Sequence, residues 1–147
     1  GDKALQFLDT FGNRTYVMFF HADPDFYGHA FGENSPEYEA EFIRSDTWLG
    51  LVRDRIGAAD TRIIVMADHG FDEDATGHPN AGDAWMITDI PIDPAYVQQP
   101  DQKAFGTLRD VAPTILEHFG FDWQTFHPPI RGKSLRDSTA SAPSSLR

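Results

Sequence analysis

The sequence predicts an α/β fold, a mostly parallel sheet with flanking helices. Two apolar runs carry that expectation: "TYVMFF" (15–20) and "TRIIVMA" (61–67) lack polar alternation, as strands buried on both faces do. A helical-period segment separates them. Strand, helix, strand at this spacing makes a βαβ unit whose strands run parallel and lie near one another.

Taken in order, Ala4, Leu5, Leu8 and Phe11 recur at helical spacing, and Gly12 is placed to end that helix. The first strand follows at 15–20. "HADPDFYGHAFGEN" then holds Pro24, Gly28 and Gly32 and reads as a loop. Ser35-Pro36-Glu37 is a helix start, with Ser as N-cap, Pro at the first helical position and an acid in the first turn. Tyr38, Phe42, Leu49, Val52 and Ile56 mark one face of that helix, and Gly57 closes it. The second strand occupies 61–67, and "DAWMIT" (83–88) offers a third. In "FGTLRDVAPTILEHFG" (105–120), Asp110 fits the N-cap of a last helix. Pro113 then falls in the first turn, where no intrahelical donor is needed, and Gly120 ends the helix. Residues 1–136 are read as one domain part. The Ser/Ala/Pro-rich stretch 137–147 is expected to be a disordered tail.

Parallel strands point their carboxyl ends the same way, and ligands of open α/β sheets bind there. Acids and histidines follow both apolar runs directly: "DPDFYGH" after the first and "DHG" after the second. Asp25 and His29 have three residues between them, Asp68 and His69 are adjacent, and His78 follows nine residues after His69. Carboxylate oxygen with imidazole nitrogen suits Zn²⁺ or Mn²⁺, and Asp and His without Cys is the donor set of a hydrolytic zinc site. The chain has no cysteine, which excludes disulfides and thiolate metal sites. With 23 acidic residues against 12 basic, a net charge of -11 argues against a nucleic-acid polymer or an anionic membrane as partner. No apolar run approaches the ~20 residues that a membrane span needs.

The motifs "DPDFYGH", "VMADHGF", "LRDVAPTILEHFGF" and "RGKSL" occur in the order of the carboxyl-terminal half of the alkaline phosphatase superfamily. The chain most resembles its type I phosphodiesterase/nucleotide pyrophosphatase-like members, across roughly residues 15–136. The resemblance implies part of an alkaline-phosphatase-like three-layer sandwich and a binuclear site of two divalent metal ions, zinc before manganese. By position, Asp25 and His29 would hold one ion with His78 as third ligand (His127 in "TFHPP" being the fallback), and Asp68 and His69 would help hold the other. His21 is read as a hydrogen-bonded structural residue before a substrate contact, and Asp23 as a loop carboxylate before a metal contact. His118 is placed near a helix C-terminus, where a cation suits the dipole, and is read as a structural or surface residue.

The implied activity is metal-dependent hydrolysis of small phosphoric esters, mono- or diester. The alternatives are a sulfatase or phosphomutase on the same scaffold, or a non-catalytic metal-binding domain. The family's Thr or Ser nucleophile lies on an earlier strand and helix, and Thr10 and Thr15 stand too close to "TYVMFF" to replace it. The expectation is therefore a fragment, completed by a missing amino-terminal half or a partner chain. An exported or periplasmic location is a family expectation only.

Overall fold

The computed structural model describes residues 5, 6, 10, 16–57, 61–97 and 106–140. Of the helix expected from Ala4, Leu5, Leu8, Phe11 and Gly12, only Leu5 is among them, and it is helical. The chain divides into two compact units, Gly1–Thr61 with Met66–Met86, and Arg62–Val65 with Ile87–Arg147.

The first unit is built on two helices, α1 (Asp23–Phe31) and α2 (Pro36–Ile56). Helix α1 corrects the loop expected there. Pro24 sits at the first helical positions, where it costs no hydrogen bond, and Asp23 and Asp25 face the positive helix end. His29 lies in the last turn. The same Pro and Gly that read as loop punctuation are tolerated by a short helix with acids at its start. Helix α2 begins as expected: the Ser35 Oγ accepts from the Tyr38 backbone N–H at 3.1 Å, and Gly57 caps the far end. Its buried face carries Val52 and also Glu41, whose carboxylate pairs with Arg44.

The expected parallel βαβ unit is absent among the described residues. Strand β1 (Ile64–Met66) pairs instead with β2 (Met86–Thr88). The flanking bonds, Ala67 N–H to the Trp85 carbonyl at 3.1 Å and Asp89 N–H to the Ile63 carbonyl at 3.3 Å, make the pair antiparallel. Residues 16–20 form no strand, and Met18 and Phe20 are 74% and 75% exposed. An apolar run states what a segment would bury; it becomes a strand only when a neighbour supplies the ladder.

The second unit is organised around α3 (Val111–His118), preceded by a 3₁₀ turn at Leu108–Asp110. Asp110 is its N-cap, Pro113 is buried in the first turn, and the helix ends ahead of Gly120. The "RGKSL" segment is tied to this helix by two buried side chains. Asp110 accepts from the backbone N–H of Thr107 at 2.8 Å and of Lys133 at 2.9 Å. The Thr114 hydroxyl donates to the Asp110 carbonyl at 2.7 Å and accepts from the Leu135 N–H at 2.9 Å. Beyond it, Arg136 bridges to Ile92 in antiparallel fashion and the Asp137 N–H donates to the Pro91 carbonyl at 2.9 Å.

Burial alone would raise the pKa of Asp110, but the Lys133 and Thr107 N–H groups outweigh it and hold the carboxyl below the usual range. A depressed folded pKa contributes stability that is present above about pH 4, the unfolded value, and is lost as pH falls through the folded one. Asp110→Asn is accordingly expected to cost about 2–3 kcal/mol at neutral pH, the value of hydrogen bonds to a charged group. Urea unfolding at pH 7 and at pH 3 should show that penalty shrinking on acidification. A penalty of equal size at both pH values would refute the assignment.

His118 stands in the last turn of α3, as expected, and of the structural and surface readings the structural one holds. It is buried, and burial followed by the nearby Arg136 and Arg62 lowers its pKa, so the ring is neutral at pH 7.

Candidate metal centre

Helix α1 places Asp25 and His29 four residues apart, on one helical face. The segment after β1 brings His69 and His78 to that face. The Asp25 Oδ1 lies 3.5 Å from His29 Nε2, 3.8 Å from His69 Nε2 and 3.8 Å from His78 Nε2. Three imidazoles thus converge on one carboxylate oxygen. That oxygen is buried and has no hydrogen-bond partner. Asp25, His69 and His78 offer ligand atoms that all lie within 4.8 Å of one another.

Two rings are oriented from behind. His29 Nδ1 stands 2.7 Å from the Thr76 carbonyl, and His69 Nδ1 3.1 Å from that of Gly70. A carbonyl only accepts, so each Nδ1 carries a proton and donates it; in the neutral ring that a metal ligand requires, the Nε2 lone pair then faces Asp25. The His69 and His78 rings stack with centroids 4.1 Å apart. Asp68 stands at the edge, its Oδ1 3.8 Å from His69 Nε2 and its side chain 66% exposed.

A buried carboxylate oxygen without a donor is costly, and so are imidazole lone pairs aimed at it. A divalent cation would remove both penalties together, and the oxygen–nitrogen donor set is one that Zn²⁺ and Mn²⁺ accept. His127, by contrast, is exposed and belongs to the second unit.

A second group of ligand atoms comprises His21, Asp23 and Glu41, but a guanidinium already occupies it. Arg44 donates to the Asp23 carboxylate at 3.0 Å and pairs with Glu41. His21 completes this network, with Nδ1 2.8 Å from the Ser45 hydroxyl and Nε2 3.3 Å from Asp23. Asp23 is therefore a helix-start residue engaged by arginine, a role its assignment to a loop concealed. Pro24 followed by Asp25 was the available signal for that start.

A cavity of about 340 Å³ lined by Glu33, Asn34, Ser35, Tyr38, Glu39 and Phe42 lies at the start of α2. Its two carboxylates make it a poor seat for an anion. Burial, then Glu33 and Asp25, push the Tyr38 pKa up, which keeps its hydroxyl protonated.

Residues 2–93 match the type I phosphodiesterase / nucleotide pyrophosphatase family. The chain is 31% identical over 128 residues to a 2,3-bisphosphoglycerate-independent phosphoglycerate mutase of Haloarcula marismortui, covering 82% of this chain and 24% of that protein. It is 27% identical over 142 residues to the mutase of Rhodopirellula baltica (93% and 25%). For that of Clostridium acetobutylicum the identity is 28% over 137 residues (91% and 26%). The chain spans about a quarter of the length of these curated relatives. No solved structure matches it. No helix among the described residues is long and apolar enough to cross a membrane. The family match takes in Asp25, His29, Asp68, His69 and His78 in one stretch, and the chain belongs to the type I phosphodiesterase/nucleotide pyrophosphatase family of the alkaline phosphatase superfamily.

Proposed function

We propose that this chain provides metal-binding residues of a domain that transfers a phosphoryl group from a small phosphate ester. Asp25, His29 and His78 would hold one divalent cation, and Asp68 and His69 would contribute to a second. The buried, unpartnered Oδ1 of Asp25 amid three imidazole nitrogens is the observation that carries the reading. Bound divalent ions supply charge stabilisation to the attacking and leaving oxygens of an in-line displacement at phosphorus. The chain's own residues do the preparatory work: Asp25 supplies the anionic centre, and the Thr76 and Gly70 carbonyls hold two rings in the tautomer that presents Nε2. The reading takes its nucleophile from outside these five residues.

The relatives' names favour phosphoglycerate as substrate, hence a phosphomutase, over the hydrolase implied by the family's description. A panel of substrates separates the two. The protein, joined to the segment that supplies the nucleophile, stripped of metal and titrated with Zn²⁺ or Mn²⁺, is expected to bind the ion and to act on a phosphate ester only when loaded. Conversion of 3- to 2-phosphoglycerate supports the mutase. Release of nitrophenol from bis-p-nitrophenyl phosphate supports the phosphodiesterase, and release from the sulfate ester supports neither. A folded sample that takes up neither ion rejects the proposal, whereas uptake without turnover favours a non-catalytic domain.

A further inference from the structure

The structure assigns Phe71 as a positioning residue of the His/Asp cluster: its ring is the shared wall that sets the angle at which the three imidazoles meet Asp25. The ring meets those of His29, His69 and His78 edge-on, with centroids 5.1, 6.3 and 5.4 Å away. On another side it meets the ring of Tyr38 at 5.5 Å. It also lies on the backbone of α1 at Gly28, where an added Cβ would fall 2.6 Å from Phe71 Cζ and 2.7 Å from Cε2. The glycine between Tyr27 and His29 is thus the space into which the phenyl ring fits.

One side chain therefore touches every imidazole of the cluster and also the helix that carries Asp25. Edge-on contacts between aromatic rings are directional, so they constrain tilt as well as distance. Among the described residues no carbonyl stands behind His78 as one does behind His29 and His69, so its ring is held by the stack on His69, a tilted contact with His29 at 5.0 Å and the edge of Phe71. An apolar ring on the inner side also keeps water away from that side of the donor set. This inference rests on reading the cluster as a cation site, and the two can fail separately.

The test compares Phe71→Ala, Phe71→Leu and the parent as full-length protein, metal-free and titrated with Co²⁺, with visible absorption and calorimetry as readouts. Val52→Ala, at a buried position of α2 remote in sequence from every ligand, is the control for general destabilisation. The parent is expected to bind Co²⁺ with a distinct visible band. Phe71→Ala should weaken binding about 10–100-fold, the range for residues that orient metal ligands, and shift the band. Phe71→Leu, which restores bulk, should recover most of the affinity while the band stays perturbed. Should Phe71→Ala fail to fold, the Leu variant carries the test through its altered band. Parental affinity and band in the Phe71 variants overturn the assignment, as does an equal loss in Val52→Ala. A parent that binds no Co²⁺, Zn²⁺ or Mn²⁺ overturns the cation site itself.

Discussion

Asp25→Asn is expected to lower Zn²⁺ affinity about a hundredfold while leaving the metal-free protein at least as stable as the parent. The first half follows from charge. Structural zinc sites release about 10–16 kcal/mol over roughly four ligands, so one ligand is worth about 3 kcal/mol, or two decades. The second half follows from the orphaned Oδ1, which sits buried without a donor. An amide in its place carries no charge to desolvate and can donate to an imidazole nitrogen, which removes a penalty rather than adding one. Calorimetric titration reads the affinity, and thermal unfolding with and without chelator reads the stability. A variant that binds Zn²⁺ like the parent would show that Asp25 is not a ligand. One that is less stable without metal would show that the carboxylate has a structural partner after all.

Gly132→Ala is expected to cost about 3–4 kcal/mol. The residue has φ +106°, a region that costs an L side chain about 1–2 kcal/mol. A Cβ there would also stand 2.7 Å from the Arg109 carbonyl carbon and 2.9 Å from the Asp110 carboxylate, and it would press on the Arg109 carbonyl oxygen. Backbone cannot swing aside as a flexible side chain can, and relieving such overpacking costs a further 1–3 kcal/mol or so. The shift would pull the Lys133 N–H from Asp110 and the Leu135 N–H from Thr114. Gly57→Ala is the internal comparison. It has φ +66° with nothing within 4 Å of the added carbon, so only the conformational cost of about 1 kcal/mol applies. Urea unfolding of both variants should separate them by at least twofold, and equal losses would remove the steric half of the argument.

These cases also mark what the sequence made legible. Caps and stops are local chemistry: Ser35-Pro36 opened α2, Gly57 closed it, and Asp110 with Pro113 opened α3 as read from the residues. Strand pairing is not local. "TYVMFF" and "TRIIVMA" are equally apolar, yet only the second holds a described strand, and its partner is the antiparallel β2 rather than a parallel neighbour. Helix α1 was hidden because Pro24, Gly28 and Gly32 were weighed as breakers without regard to their places in the first turn, under the Phe71 ring and at the stop. The convergence of Asp25, His29, His69 and His78 was expected from their positions after the apolar runs. It is observed, although a helix and an irregular, turn-containing segment bring it about rather than one sheet rim. Phe71 carried no signal of its own, since an aromatic after Asp-His-Gly reads as ordinary core.

Helix α1 has nine residues, fewer than the roughly 12–15 that a helix needs to persist in water without tertiary help. Two of the five proposed ligands sit on it one turn apart, so an ion gripped by both would act as a clamp across that turn. Ordering of the helix and loading of the centre would then be a single event, and depletion of the ion would loosen the segment that must recapture it.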